Sequence, residues 1–215
     1  MNASAAAREK MLENIRAGNA ESGITVSEYA SIERRYRRAG TLPPEDMLRL
    51  MVERLREYDA EVVECGPAEL ANAIAAQLAA SGRKCFVAPA GLPSEWIAAG
   101  FEWRVDRGLS QDEVESADGV VTGAFCGVAE SGTIVLHHGP VEGRRILTLL
   151  PDWHLCVLRE SQVVETLPEY FAKVAEAPRL ATYISGPSAT ADIEMTRIKG
   201  VHGPRLLHVL IVRGV

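Results

Sequence analysis

Two stretches of this sequence pair reactive side chains with a backbone of small residues, and they define the chemistry to look for. In the first, from Val121 to Leu136, Glu130 stands directly before Ser131, Gly132 and Thr133, with Gly123 and Gly127 upstream. A carboxylate in a loop of glycines, between the end of one strand and the start of the next, has open space around it that a ligand can use. Glu130 is therefore a candidate base or nucleophile. Thr122, Gly123, Ser131, Gly132 and Thr133 are candidates for binding a ligand. A plain structural reading also stands: the glycines permit sharp turns, and Glu130 is solvated or caps a backbone amide.

The second stretch runs from Ile184 to Glu194 and is followed by Gly200, Val201, His202, Gly203 and Pro204. Here an apolar strand passes into Ser185, Gly186, Pro187 and Ser188, and a helix start is expected just beyond. Backbone amides, the hydroxyls of Ser185, Ser188 and Thr190, and the positive end of the helix dipole can together hold an anion. Phosphate, carboxylate or a nucleotide tail suits such a loop. The alternative is an ordinary strand-to-helix loop in which Ser188 or Thr190 caps the helix. Asp192 lies in the expected first helical turn, and His202 sits near glycines as a base, a ligand contact or a turn residue.

These loops need a scaffold, and the periodicity of the chain supplies one. The first third reads as helix over Ala5 to Ala17, Ser27 to Arg38 and Pro44 to Tyr58, with Met47, Leu48, Met51, Val52 and Leu55 forming one apolar face in the third. Strands and helices then alternate: Glu61 to Cys65, a helix over Pro67 to Ala80, Lys84 to Ala88, a helix over Ser94 to Ala99, and Glu102 to Val105. A helix follows from Ser110, with Glu113 at capping-box spacing, and then the strand Gly119 to Thr122. Such alternation predicts a parallel sheet covered on both faces, because parallel neighbours need crossovers and helices provide them. From Thr133 the strands crowd together, at 133–137, 145–150 and 154–158, which predicts a mixed or antiparallel section. A helix over Leu167 to Glu176 and strands at Ala181 to Ser185 and Leu206 to Val212 close the chain. The expectation is an α/β fold of three layers, α/β/α, with a helical N-terminal arm or layer over residues 1–42 and one α/β domain over 43–215. The loops around Glu130 and around Ser185 to Asp192 are expected to meet at the carboxyl ends of neighbouring strands.

Composition narrows the function. The 215 residues are 47% apolar and 24% charged, as in an ordinary folded domain. A net charge of -6 argues against a nucleic-acid surface, which needs clustered Lys and Arg. The cluster of Arg34, Arg35, Arg37 and Arg38 reads as a solvated helix face. The four cysteines, Cys65, Cys85, Cys126 and Cys156, are widely spaced in apolar runs without a C-x-x-C pair, so no metal site or disulfide is expected. Met1 to Ala7 carries no signal-peptide core, and no run approaches the roughly 18 apolar residues of a membrane span. The expected location is the cytoplasm.

Four pieces in order, A-E-S-G-T-I-V-L at 129 to 136, L-L-P at 149 to 151 with His154 behind it, I-S-G-P-S-x-T-A-D-I-E at 184 to 194, and G-V-H-G-P-R at 200 to 205, resemble the lactate-utilization (LUD) family. The resemblance spans roughly residues 45 to 215. The family often has a basic residue where Ala189 stands and a threonine where Ser131 stands. The resemblance implies a fold similar to that of ribose-phosphate isomerases and CoA transferases. It also implies a role in oxidising L-lactate to pyruvate beside two companion proteins, one iron-sulfur and one rich in cysteines, with the clusters on a companion and no cofactor bound by this chain.

The leading reading is thus a non-redox subunit or accessory protein that binds a small anion between the 123–133 and 185–192 loops. One alternative is an independent enzyme on a phosphorylated sugar or thioester, with Glu130 as base or nucleophile and Asp192 or His202 assisting. Another is a ligand sensor without chemistry.

Overall fold

The structure, a computed structural model, describes residues 3–21, 31–190, 198–199 and 203–215. It divides into two units, Met1–Arg37 and Arg38–Val215. In the first, helix α1 spans Ala3–Glu21 and runs through Gly18, where the sequence reading ends it. An interior glycine costs about 1 kcal/mol relative to alanine, too little to end a helix whose next residues are helix-compatible. The helix expected over Ser27 to Arg38 is not carried past Ser31, and residues 27–30 lie outside the described residues. Arg34, Arg37 and Arg38 would stack like charges at three- and four-residue spacing, which weakens a helix there.

The second unit opens with α2, Pro44–Glu57, whose Leu48, Met51, Val52 and Leu55 are buried. Each such side chain contributes roughly 1.5–3 kcal/mol by leaving water. Next come β1 (Glu61–Cys65), α3 (Leu70–Ala80), β2 (Cys85–Pro89) and β3 (Glu102–Asp106). Helix α4, Gln111–Glu115, is started by Ser110 as expected: the Glu113 amide donates to Ser110 Oγ, and the Ser110 amide donates to the Glu113 carboxylate. After it come β4 (Gly119–Gly123), β5 (Cys126–Val128), β6 (Thr133–Leu136), β7 (Trp153–Arg159) and β8 (Val163–Val164). Helix α5 (Leu167–Lys173) and strands β9 (Thr182–Ile184), β10 (Ala189–Thr190), β11 (Ile198–Lys199) and β12 (Leu206–Val212) complete the described elements.

Six strands form one parallel sheet in the order β1-β12-β7-β4-β2-β3. Alternation along β7 sends Trp153, Leu155 and Val157 to one face, where they pack with Ile74 and Leu78 of α3. The other face carries Cys156 and Leu158, which pack with α2 and with Ile134 and Leu136 of β6. Of the strands that crowd together after Thr133, that at 154–158 is β7 inside the parallel sheet, whereas β6 and its partners β5, β8 and β9 lie outside it. They build a second, four-stranded mixed sheet, β8-β5-β6-β9, that covers this face beside α2. This is an α/β fold with a mostly parallel sheet, as the alternation predicts.

Three further local expectations fail. Ser94 to Ala99 reads as a helix, but only Ser94–Trp96 forms, as a turn of 3-10 helix. Arg145 to Leu150 reads as a strand, but Arg145–Thr148 is a turn of 3-10 helix with Leu147 buried. The neighbours of β7 are β4 and β12, so this segment finds no place beside it and seals the core by its side chains. A helix expected to begin after Ser188 is absent at that point, because Ala189 and Thr190 pair antiparallel with Lys199 and Ile198. The argument for an anion held by a helix dipole there falls with it.

Candidate functional site

The two loops singled out in the sequence do meet. Antiparallel pairing of β6 with β9, in the register Ile134 opposite Ile184, brings Thr133 and Ser185 together at the strand ends. Their hydroxyls hydrogen-bond at 2.8 Å, and the Ser131 and Thr133 hydroxyls at 2.7 Å. Two glycines let both loops settle on the same stretch of chain. Gly132 has φ +57, and a Cβ on it would lie 2.7 Å from Arg54 Cβ; Gly186 has φ +85, and a Cβ there would lie 2.5 Å from Tyr58 Cβ. Both positions combine a left-handed backbone with contact too close for any side chain.

Beyond Ser185 lies a cavity of about 210 Å³ whose lining includes Ser185, Gly186, Pro187, Ser188, Arg145, Thr148, His154, Gly203 and Leu207. His154 and Leu207 are the second residues of β7 and β12. The cavity therefore opens at the amino ends of the parallel strands, where the sequence reading expects the carboxyl ends. The reason is the second sheet: it packs over one face of the parallel sheet, and the end of β9 lies over the entry to β7 and β12.

The polar groups of this cavity are unusual for their surroundings. His154 is 1% exposed, and its Nε2 and the Thr122 hydroxyl are 2.8 Å apart. Burial, with a further push from the Arg145 charge, brings its imidazole down to about 3, so the ring is neutral at physiological pH. Arg145 is half-buried and donates to the Thr148 carbonyl and hydroxyl at 3.1 and 3.2 Å. Burial lowers its guanidinium from the usual value. Among the described residues it has no carboxylate partner, whereas its neighbour Arg144 is bound through two nitrogens to Asp106, each at 2.7 Å.

Of the residues predicted from sequence, Ser185, Gly186, Pro187 and Ser188 line the cavity, and Ser131 and Thr133 support that wall through hydroxyls. Thr122 acts one step behind, through His154. Gly123 packs on Val141, whose carbonyl accepts from the Gly123 amide at 2.9 Å. Glu130 is exposed on a 3-10 turn, Ala129–Ser131, with its amide donating to the Glu165 carbonyl, and it does not line the cavity. Gly132 sits against Arg54. Thr190 lies in β10. Asp192 and His202 are outside the described residues. Sequence reasoning missed Arg145 and gave His154 no role. Arg145 was hidden inside a supposed strand, and the signal for His154 was an imidazole within the apolar run of β7.

All four cysteines are buried and unbridged. Burial pushes the Cys126 thiol up to about 11 and Cys156 up to about 12, so both stay protonated. Among the described residues no three of His, Cys, Asp and Glu gather in a way that could hold a metal ion, and no helix is long and apolar enough to cross a membrane.

A family model described as LUD domain matches residues 4–212. Lactate utilization protein C of Deinococcus radiodurans is 42% identical over 171 residues, spanning 78% of this chain and 80% of its own. The protein of the same name from Geobacillus thermodenitrificans is 30% identical over 190 residues, spanning 78% of this chain and 79% of its own. Among solved structures, the crystal structure of a DUF162 family protein from Deinococcus radiodurans is similar with a TM-score of 0.69 and 38% identity, covering 80% of this chain and 99% of that one.

Proposed function

The chain belongs to the LUD domain family, and from that membership we propose that it serves lactate utilization as a subunit or accessory protein without a redox centre of its own, holding a small anion in the cavity between Arg145 and Ser188. The names of its relatives support the process. The ligand half of the reading is carried by one observation: a half-buried guanidinium lines a small cavity and has no carboxylate partner among the described residues. A cation withdrawn from water without a counter-ion is costly, and an incoming anion offsets that cost. Ser185 and Ser188 line the same space. In this reading companion proteins, one carrying iron-sulfur clusters and one rich in cysteines, perform the electron transfer.

The test is growth of a deletion strain on L-lactate as sole carbon source, together with recovery of the tagged chain from those cells. The wild type is expected to restore growth and to bring an iron-sulfur protein with it. Arg145→Gln is expected to be abundant and folded yet to fail on lactate. Full growth with that variant overturns the role of the cavity, and growth without any companion overturns the subunit reading.

A further inference from the structure

A second cavity lies at the opposite end of the parallel sheet. Arg159 and Val212 are the last residues of β7 and β12, and together with Leu70, Ala71, Glu95 and Trp96 they line a space of about 280 Å³. Open parallel sheets collect their ligands at these carboxyl ends. The walls are apolar, for Leu70, Trp96 and Val212 are all buried core side chains. Set into that apolar lining are two charged side chains of opposite sign, and they are not paired with each other. Among the described residues the Arg159 guanidinium has no carboxylate partner; its amide alone is engaged, by Gln162. The Glu95 carboxylate is met by the Ser94 hydroxyl at 3.5 Å.

An apolar space flanked by one cation and one anion suits a ligand that carries both charges on an apolar body. A nucleotide does not fit the same place. The chain leaving β1 at Cys65 passes through Gly66 and Pro67; proline has no amide to offer, and the Gly66 amide already donates to the Glu69 carboxylate at 2.9 Å. No cradle of free amides is left there for a phosphate.

We propose that this cavity binds a free α-amino acid with an apolar side chain. The ligand carboxylate meets Arg159, its ammonium group meets Glu95, and its side chain rests on Leu70, Trp96 and Val212. Both charged side chains are exposed to water, so each contact alone contributes modestly. Selectivity comes from meeting both charges and the apolar wall at once. As bounded by the described residues, about 280 Å³ is just below the roughly 300–1,000 Å³ of sites for larger ligands, a size suited to one amino acid. The site is independent of the anion reading, because Arg145 and His154 lie at the amino ends of the strands.

The test is a titration of the isotope-labelled full chain, followed by NMR at the Trp96 indole. The probes are L-leucine and three compounds that each lack one part of it: 4-methylpentanoate without the ammonium group, 3-methylbutylamine without the carboxylate, and glycine without the side chain. L-Leucine is expected to shift the Trp96 signal saturably and to bind about fivefold or more tighter than each of the others. Glu95→Gln is expected to weaken leucine about fivefold without weakening 4-methylpentanoate, and Arg159→Gln to weaken leucine about fivefold without weakening 3-methylbutylamine. Arg145→Gln is expected to leave leucine binding unchanged; a loss in that variant would put leucine in the other cavity and overturn the proposal. Binding of 4-methylpentanoate or 3-methylbutylamine as tight as that of leucine overturns the doubly charged ligand class. Equal binding of glycine overturns the role of the apolar wall, and absence of any leucine-dependent shift overturns the site.

Discussion

The hydroxyls of Thr133 and Ser185 lie 2.8 Å apart although 52 residues separate them in the chain. That contact joins the loop after β5 to the wall of the cavity, and Ser131 extends it by one hydroxyl. Thr133→Val keeps the shape and removes both hydrogen bonds, each worth roughly 0.5–1.5 kcal/mol. A double-mutant cycle of Thr133→Val with Ser185→Ala, measured by urea unfolding, is expected to give a coupling of about 1 kcal/mol. Additive losses would show that the two loops are held by packing alone.

Gly132 and Gly186 set the height at which those loops rest on Arg54 and Tyr58. Alanine at either position meets a left-handed backbone and a neighbour closer than 3 Å, so each substitution is expected to lower stability by about 2–4 kcal/mol. Gly18→Ala, in open space within α1, serves as the control and is expected to be neutral or slightly stabilising. Equal effects at all three positions would contradict the account of the two loops.

Acid should weaken the fold before the carboxylates respond. His154 is lowered from 6.5 to about 3 in the folded state, so the unfolded chain binds a proton that the native chain refuses. The stability tied to this group is complete above about pH 6.5 and drains as pH falls toward 3, reaching a loss of about 2 kcal/mol at pH 5. His137 and His208 are also lowered by burial and add to the same slope. Asp106, Asp118 and Asp152, lowered from 3.8, add theirs only in stronger acid. Between pH 7 and pH 5, His154→Gln is expected to lose about 2 kcal/mol less than the wild type in denaturant unfolding. An identical loss would mean that the native fold accepts the proton.

Glu130 gives a contrasting expectation. The residue is exposed and stands outside the cavity lining, so Glu130→Gln should shift stability by no more than about 0.5 kcal/mol and leave growth on lactate unchanged. An intact thermal midpoint with failed growth would return this carboxylate to the site.

Most of the scaffold was legible because periodicity and caps act locally. The strands β1 and β12 fall where β-branched runs place them, and Ser110 starts its helix through its own side chain. What failed depends on partners distant in the chain. Arg145 to Leu150 has the composition of a strand and becomes a 3-10 turn because β7 is occupied on both sides. The segment after Ser188 pairs with Ile198–Lys199, a partner that no local signal announces. The same limits apply to the site. The hydroxyl and glycine loops were visible as unusual local sequence, whereas Arg145 and His154 acquire meaning only when β9 folds over the starts of β7 and β12.

The cavity account stands or falls on the guanidinium of Arg145. Isothermal titration of the wild type and of Arg145→Gln with L-lactate, at equal ionic strength and with thermal midpoints checked beforehand, isolates its charge. The account expects a saturable one-site heat in the wild type and at least a tenfold loss of affinity in a variant that remains folded. Equal heats from the two proteins, or none from the wild type, would contradict it.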